Sequence, residues 1–315
     1  MTPALVRHRA TALVGLAVCL MTISGFVLIR GSVPTASADT LTTPKAVVLG
    51  LVEGATEYLP VSSTGHLLVA ERILDVGQTK QDEVATDTYT VVIQIGAILA
   101  VLGIFRKRFA LMLQGVVRRN AEGRSLVVSL LLAFVPAVVI ALALQDPIKS
   151  KLLKPWPVVA AWVAGGVVIL LFGRYRGRIT ETITSLSAIP PRVALGIGGA
   201  QVLALWPGTS RSLVTILAAL VLGCSLTTAV EFSFLLGFLT LSAATGYELL
   251  KNGSTLIDTF GIVNPLIGIV VAGVAAFVSV RWMIGYLERQ PLTGFAWYRF
   301  GAAALTAGLL VMKAI

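Results

Sequence analysis

Charge is scarce in this sequence. Asp, Glu, Lys and Arg make up 13% of its 315 residues and hydrophobic residues 56%, whereas a soluble domain carries about 25% charged residues. An aqueous surface over most of the chain is therefore excluded, and lipid is the expected solvent. Cysteine is almost absent. Cys19 and Cys224 lie in apolar runs far apart, which excludes a disulfide framework and a cysteine-based metal spacing. Histidine is equally rare, with His8 near the start and His66 alone beyond it. Acidic residues are outnumbered 15 to 25, for a net charge of +10. The excess does not point to nucleic acid, because the basic residues collect in short stretches between apolar runs rather than on an amphipathic face. Two such stretches are Arg106, Lys107, Arg108, Arg118, Arg119 and Arg124, and Arg174, Arg176, Arg178 and Arg192. The positive-inside tendency makes both cytoplasmic. The 30 glycines are dispersed, which suits close helix contacts in a membrane better than a linker.

Residues 1–40 have a basic start at Arg7 and Arg9, an apolar stretch over 12–29, and Ala36-Ser37-Ala38 before Asp39. They read as a signal peptide or an uncleaved anchor helix, and either places Asp39 outside. Residues 41–315 read as one membrane domain. Two apolar arms, 43–59 and 66–74, are broken by Pro60-Val61-Ser62-Ser63-Thr64-Gly65. Neither arm reaches the roughly 20 residues a spanning helix needs. An acidic, polar loop over 75–87 and a span over 89–105 follow, ending in the Arg-Lys-Arg cluster. With that cluster cytoplasmic, the broken pair enters and leaves on the external side as a re-entrant hairpin. Spans over 125–144 and 156–172 complete the first half.

The second half repeats the plan. Arms over 193–206 and 213–224 are broken by Pro207-Gly208-Thr209-Ser210-Arg211-Ser212, followed by spans near 228–247, 262–287 and 295–312. Comparing Pro60-Val61-Ser62-Ser63-Thr64-Gly65 with Pro207-Gly208-Thr209-Ser210-Arg211-Ser212, and Gln94-Ile95-Gly96-Ala97-Ile98-Leu99 with Leu236-Gly237-Phe238-Leu239, suggests a weak internal repeat of about 41–178 and about 190–315. Each unit holds three spans, an odd number, so the second inserts upside down. The expected fold is an all-α polytopic membrane protein with an inverted-topology repeat. Each unit is a re-entrant helix hairpin plus three transmembrane helices, and the two hairpin tips meet near the midplane.

The ionisable residues concentrate at those tips. Glu53 and Glu57 are four apart and share one helix face. Two carboxylates at hydrocarbon depth are costly unless they bind a cation, share a proton or face water. A divalent cation, Mg²⁺ or Ca²⁺, is the attractive resolution; backbone amides are the plainer one. Ser62, Ser63 and Thr64 place hydroxyls where the helix breaks, a pattern commoner in caps than in nucleophiles. His66 follows Ser63 by three residues, close enough to the glutamates to serve as an acid/base partner. In the second break, Arg211 stands between Ser210 and Ser212 with Thr209 and Thr215 nearby. A guanidinium at this depth needs an anion, and its fork suits a phosphate. The helix that starts after Pro207 would also turn its amino end toward an anion. A pair with Glu53 or Glu57 is the plainer alternative.

Glu53-x-x-x-Glu57 with Pro60-Val61-Ser62-Ser63-Thr64-Gly65-His66, and Pro207-Gly208-x-Ser210-Arg211-Ser212-x-x-Thr215, together resemble the two signatures of the undecaprenyl-diphosphatase family, also known as bacitracin-resistance proteins. The resemblance runs from about residue 44 to the carboxyl end. It implies hydrolysis of undecaprenyl diphosphate to undecaprenyl phosphate and inorganic phosphate, recycling the lipid carrier for peptidoglycan synthesis, and bacitracin resistance. It also implies a bacterial plasma membrane, a site facing the periplasm or exterior, and polyprenyl diphosphate and membrane lipids as partners, with a homodimer compatible. By position, Glu53 and Glu57 resemble the metal-binding or water-activating acids, Ser63 and His66 the catalytic pair, and Arg211 the diphosphate clamp. Ser62, Thr64, Thr209, Ser210, Ser212 and Thr215 are expected to line the substrate. The implied chemistry is metal-assisted phosphoryl transfer, with Ser63, His66 or water attacking. The chain departs from the family pattern at Leu213-Val214, where Gly-Ala is usual, and at Gly237-Phe238-Leu239-Thr240, which lacks a common proline; its amino-terminal extension is also longer than usual.

Two rival readings differ in chemistry. The phosphatidic-acid-phosphatase type of membrane enzyme has a Ser-Gly-His element superficially like Ser63-Thr64-Gly65-His66, but its mechanism needs two histidines. Secondary transporters also bring broken helices together at the midplane. A translocase of undecaprenyl phosphate or a small-anion carrier would use Arg211 to bind and the glutamates to couple an ion.

Overall fold

A computed structural model describes residues 41–77, 80–118 and 120–315. The signal-peptide or anchor reading of 1–40 lies outside the described residues. The described chain is helical, with one isolated bridge between Ile183 and Cys224. Twelve α-helices run in the order α1 (Thr43–Thr56), α2 (Ser63–Ile73), α3 (Lys80–Val92), α4 (Gln94–Ile104), α5 (Arg106–Val117), α6 (Ala121–Pro147), α7 (Pro155–Tyr175), α8 (Pro191–Gln201), α9 (Arg211–Val221), α10 (Leu226–Phe260), α11 (Val263–Leu287) and α12 (Thr293–Val311).

Among the described residues, six segments are long and apolar enough to cross a membrane: Asp82–Ile104, which joins α3 and α4 through Ile93, then Ala121–Leu144, Pro155–Arg178, Leu226–Phe260, Val263–Leu287 and Thr293–Val311. Many of their large apolar side chains face outward, among them Val135, Val139, Val167, Val270 and Val274. In water such a surface would aggregate; in a bilayer it is solvated by lipid. The chain is a multi-pass membrane protein.

Two expectations need correction. The stretch from Arg106 to Arg124 is not a plain loop. It forms α5, which lies against α6 where Gly115 and Gly123 leave no space for a Cβ on either helix, and its Arg108 meets Glu231 of α10 at 2.9 Å. The span near 228–247 is also far longer. α10 runs 35 residues without interruption, from Leu226 to Phe260. Its extension carries Glu248, buried and accepting from Thr88 at 3.0 Å and from Asn252 at 2.6 Å.

The short pairs α1–α2 and α8–α9 interrupt this set of long helices, and their turns share a backbone conformation. Ser62 (φ 73°, ψ 101°) precedes α2 and Ser210 (φ 75°, ψ 112°) precedes α9, each helix being 11 residues long. Both helices end alike: Leu74 N donates to the Ala70 carbonyl and Leu222 N to that of Ala218, then Val76 N reaches Glu71 O at 3.0 Å and Cys224 N reaches Ala219 O at 2.9 Å. In backbone conformation Ser62 therefore corresponds to Ser210 and Ser63 to Arg211. This correspondence is one position away from the match of Pro60 with Pro207, because turn geometry, rather than the prolines, sets the register.

α1 packs along α11 and α8 along α6, while α7 pairs with α12 and α3 with α10. Glycines allow the approach: a Cβ at Gly50 would come within 2.6 Å of the Gly268 carbonyl, and one at Gly198 would meet the Ala133 backbone. Backbones brought this close gain dispersion contacts that lipid cannot match. α1 and α8 are thereby held against long helices, with their carboxyl ends at the two turns.

Candidate active site

The first turn spans residues 57–62 and places four successive carbonyls outside any helix. Each accepts from a side chain. Leu59 O accepts from Ser212 Oγ at 2.9 Å and Ser210 Oγ at 3.3 Å, Pro60 O from Arg299 Nη1 at 3.2 Å, Val61 O from Trp162 Nε1 at 2.9 Å, and Ser62 O from His66 Nδ1 at 2.7 Å. The donors come from α2, α7, α9, α12 and the residue capping α9. Irregular backbone in a membrane protein persists only where protein or water satisfies its polar groups, and here protein does so.

Glu57 sits at the end of α1 and joins both halves of the chain. Its Oε2 accepts a short hydrogen bond from Ser63 Oγ, and its Oε1 accepts from Arg211 Nη2 at 2.8 Å. Arg211 opens α9. Its Nη1 donates to Ser233 O at 3.3 Å, and its guanidinium lies 5.3 Å from the centre of the Tyr58 ring. A Cβ at position 237 would collide with that guanidinium, so Gly237 is what gives Arg211 its seat. The plainer of the two expectations for Arg211, a pair with Glu57, is therefore the arrangement found.

Glu53, one turn earlier, is fully buried beside Glu57 and Ser63. Neither of its carboxylate oxygens has a hydrogen-bond partner. A carboxylate in that state is strongly disfavoured, and a bound cation or a proton shared with Glu57 would relieve it. Among the described residues no three His, Cys, Asp or Glu side chains converge on a metal position. A cation held by Glu53 would complete its shell with water and substrate oxygens, as Mg²⁺ commonly does.

Ser63 and His66 do not pair with each other. Ser63 is engaged with Glu57, whereas His66 uses Nδ1 on Ser62 O and Nε2 on Tyr298 Oη at 2.8 Å, and its ring packs on Trp162 with centroids 4.8 Å apart. Ser210 and Ser212 tie the second turn to Leu59, and Thr215 bonds Arg211 O at 2.8 Å and Ser233 Oγ at 2.7 Å. These hydroxyls brace backbone. Thr64 is exposed and Thr209 half-buried.

Arg299 was missed in the sequence. It is fully buried, and besides Pro60 O it donates to Gly208 O at 2.8 Å, Ala161 O at 2.9 Å and Trp162 O at 3.2 Å, joining both turns to α7. Gly165 leaves room for it. The signal was available: an arginine inside the last apolar run is a functional or structural marker by default.

Residues 46–305 match the family described as bacitracin resistance protein BacA. The chain is similar to the undecaprenyl-diphosphatase of Sorangium cellulosum, 41% identical over 266 residues that cover 84% of this chain and 85% of that protein. It is similar to undecaprenyl-diphosphatase 2 of Rhodospirillum rubrum, 44% identical over 265 residues, 83% and 93% of the two chains. The undecaprenyl-diphosphatase 1 of Paraburkholderia xenovorans is 42% identical over 271 residues, 85% and 95% of the two chains.

Proposed function

Because the chain belongs to the bacitracin resistance protein family, we propose that it hydrolyses undecaprenyl diphosphate to undecaprenyl phosphate and inorganic phosphate. The lipid carrier returns to peptidoglycan synthesis, and its faster turnover confers bacitracin resistance. The observation that carries the reading at the level of chemistry is the double engagement of Glu57, with a serine hydroxyl on one oxygen and a guanidinium on the other.

Arg211 binds the terminal phosphate as it enters and in doing so exchanges Glu57 for the ligand. Released from its cation, Glu57 accepts the proton of Ser63. Ser63 Oγ attacks the terminal phosphorus, the bond from phosphorus to the bridging oxygen breaks, and undecaprenyl phosphate leaves with that electron pair. Glu57 passes that proton to the departing undecaprenyl phosphate and is a carboxylate again; water then attacks the phosphoserine, its proton passing to Glu57 and from there to the serine oxygen as inorganic phosphate departs. Glu53, with both oxygens unpartnered, is the residue that would hold a divalent cation. Such an ion, when bound, neutralises phosphate charge.

The shared turn geometry of Ser62 and Ser210 and the matched packing of α1 on α11 and α8 on α6 support two oppositely inserted repeats, each with a re-entrant hairpin. The basic stretches at Arg106–Arg124 and Arg174–Arg192 favour a plasma-membrane orientation in which both face the cytoplasm and the site opens outward. Phosphate release from undecaprenyl diphosphate by the purified full chain in detergent is the direct test. Release above a protein-free control is expected; binding of the lipid without product would replace hydrolysis by a carrier role.

A further inference from the structure

The four-carbonyl clamp on the first turn gives His66 an occupation that competes with acid–base chemistry. Ser62 O is a carbonyl and can only accept, so His66 Nδ1 carries the hydrogen in that bond. In the neutral ring Nε2 is then the acceptor, and the Tyr298 hydroxyl donates to it at 2.8 Å. Both ring nitrogens are engaged, neither with Ser63, whose own proton points to Glu57. Tyr298 also stacks on the imidazole, with centroids 5.6 Å apart and planes 25° from parallel. Trp162 also packs against the imidazole and itself holds Val61 O.

The turn needs this bracing. Ser62 is not glycine, yet its φ is 73° and its ψ 101°, a backbone conformation that persists only where neighbours over-determine it. The next residue is Ser63. A shift of the Ser62 peptide would swing the Ser63 hydroxyl away from Glu57.

From this we infer that His66 is a positioning residue. It acts on Ser63 through the Ser62 carbonyl rather than as its proton acceptor, and Tyr298 fixes the tautomer that lets it do so. The inference rests on the phosphatase reading for its kinetic consequences and on geometry alone for its spectroscopic one.

Asparagine places an amide N–H near the position of histidine Nδ1 but has no basic nitrogen. His66→Asn therefore keeps the clamp and loses any acid–base function, whereas His66→Leu loses both. We expect kcat for phosphate release from undecaprenyl diphosphate to stay within about tenfold of wild type in His66→Asn and to fall about 10²-fold or more in His66→Leu. Tyr298→Phe, which keeps the ring contact, should lower kcat about tenfold with KM within about twofold. Equal losses in His66→Asn and His66→Leu, or unchanged kcat in Tyr298→Phe, would overturn the inference.

A measurement on the unmutated ring guards against misfolding of the variants. The chain has only two histidines, so ¹⁵N NMR of the full His-labelled protein, with His8 replaced by Gln, reads His66 alone. At a pH alkaline enough to leave the ring neutral, Nδ1 should be protonated and Nε2 a hydrogen-bonded acceptor. A proton on Nε2 instead sinks the inference whatever the kinetics. If the wild-type chain released no phosphate, the phosphatase reading would fall while the tautomer result still stood.

Discussion

The guanidinium of Arg211 and the carboxylate of Glu57 meet at 2.8 Å across 154 residues of sequence, both largely buried, at the junction of the two helix pairs. Breaking a buried pair from one side leaves an uncompensated charge and costs about 3–5 kcal/mol, whereas replacing both partners with apolar residues of similar size is often neutral. Arg211→Ala and Glu57→Gln should each reduce phosphate release by roughly 10³-fold. The double variant Glu57→Gln/Arg211→Met should regain thermal stability in detergent relative to Arg211→Ala without regaining activity. Recovery of activity in that double variant would remove the pair from the chemistry.

Gly237 tests the seat of Arg211 without touching a charge. A methyl group there occupies the volume of the guanidinium, so Gly237→Ala must push Arg211 off Glu57. A displacement of about 1 Å at a reacting group costs about 10²-fold in rate. Gly237→Ala is expected to show that loss in kcat/KM together with a lowered melting temperature, because it separates the buried pair, while Gly246→Ala on the same helix, where a Cβ meets nothing, should behave as wild type.

The spans and the two breaks were legible in the sequence because hydropathy and proline act locally. The arms expected at 43–59 and 66–74 became Thr43–Thr56 and Ser63–Ile73, and the last span became Thr293–Val311. Helix α5 was hidden because Arg106, Lys107 and Arg108 carry a charge signal that masks a short helix packed through Gly115 and Gly123. The shared turn conformation at Ser62 and Ser210 was not legible, because Pro60 and Pro207 are conspicuous whereas a positive φ leaves no mark in residue type. The clustering of Glu57, Ser63 and Arg211 could be guessed from their shared position at the breaks. The partnership of His66 with Tyr298 could not, because 232 residues separate them and only the packing of α12 on α7 brings them together.

Glu53 leads to a prediction about cations. Its buried carboxylate has both oxygens without partners, so on the proposed reading removal of divalent ions leaves the site with an unbalanced charge. Chelation should halt phosphate release, and added Mg²⁺ should restore it. Glu53→Gln should raise the Mg²⁺ concentration for half-maximal activity by about tenfold or more, which a titration of rate against Mg²⁺ would reveal. A variant with an unchanged midpoint would show that Glu53 holds no activating ion, and full activity in chelator would dispose of the cation altogether.

Orientation can be checked without activity. Lys107 on α5 and Arg176 just beyond α7 belong to the two basic stretches expected in the cytoplasm, and Lys154 lies just before α7, at the opposite end of that helix. α7 spans 21 residues, about 31 Å at 1.5 Å per residue, enough to cross the hydrocarbon core. Its two ends must therefore lie on opposite sides whichever way it inserts. In a background with Cys19 and Cys224 replaced by Ala, single cysteines at 107 and 176 should react with a membrane-impermeant maleimide only after the cells are opened. A cysteine at 154 should react in intact cells. The reverse pattern would turn the site toward the cytoplasm, where a phosphatase recycling carrier released outside the cell could not meet its substrate before translocation.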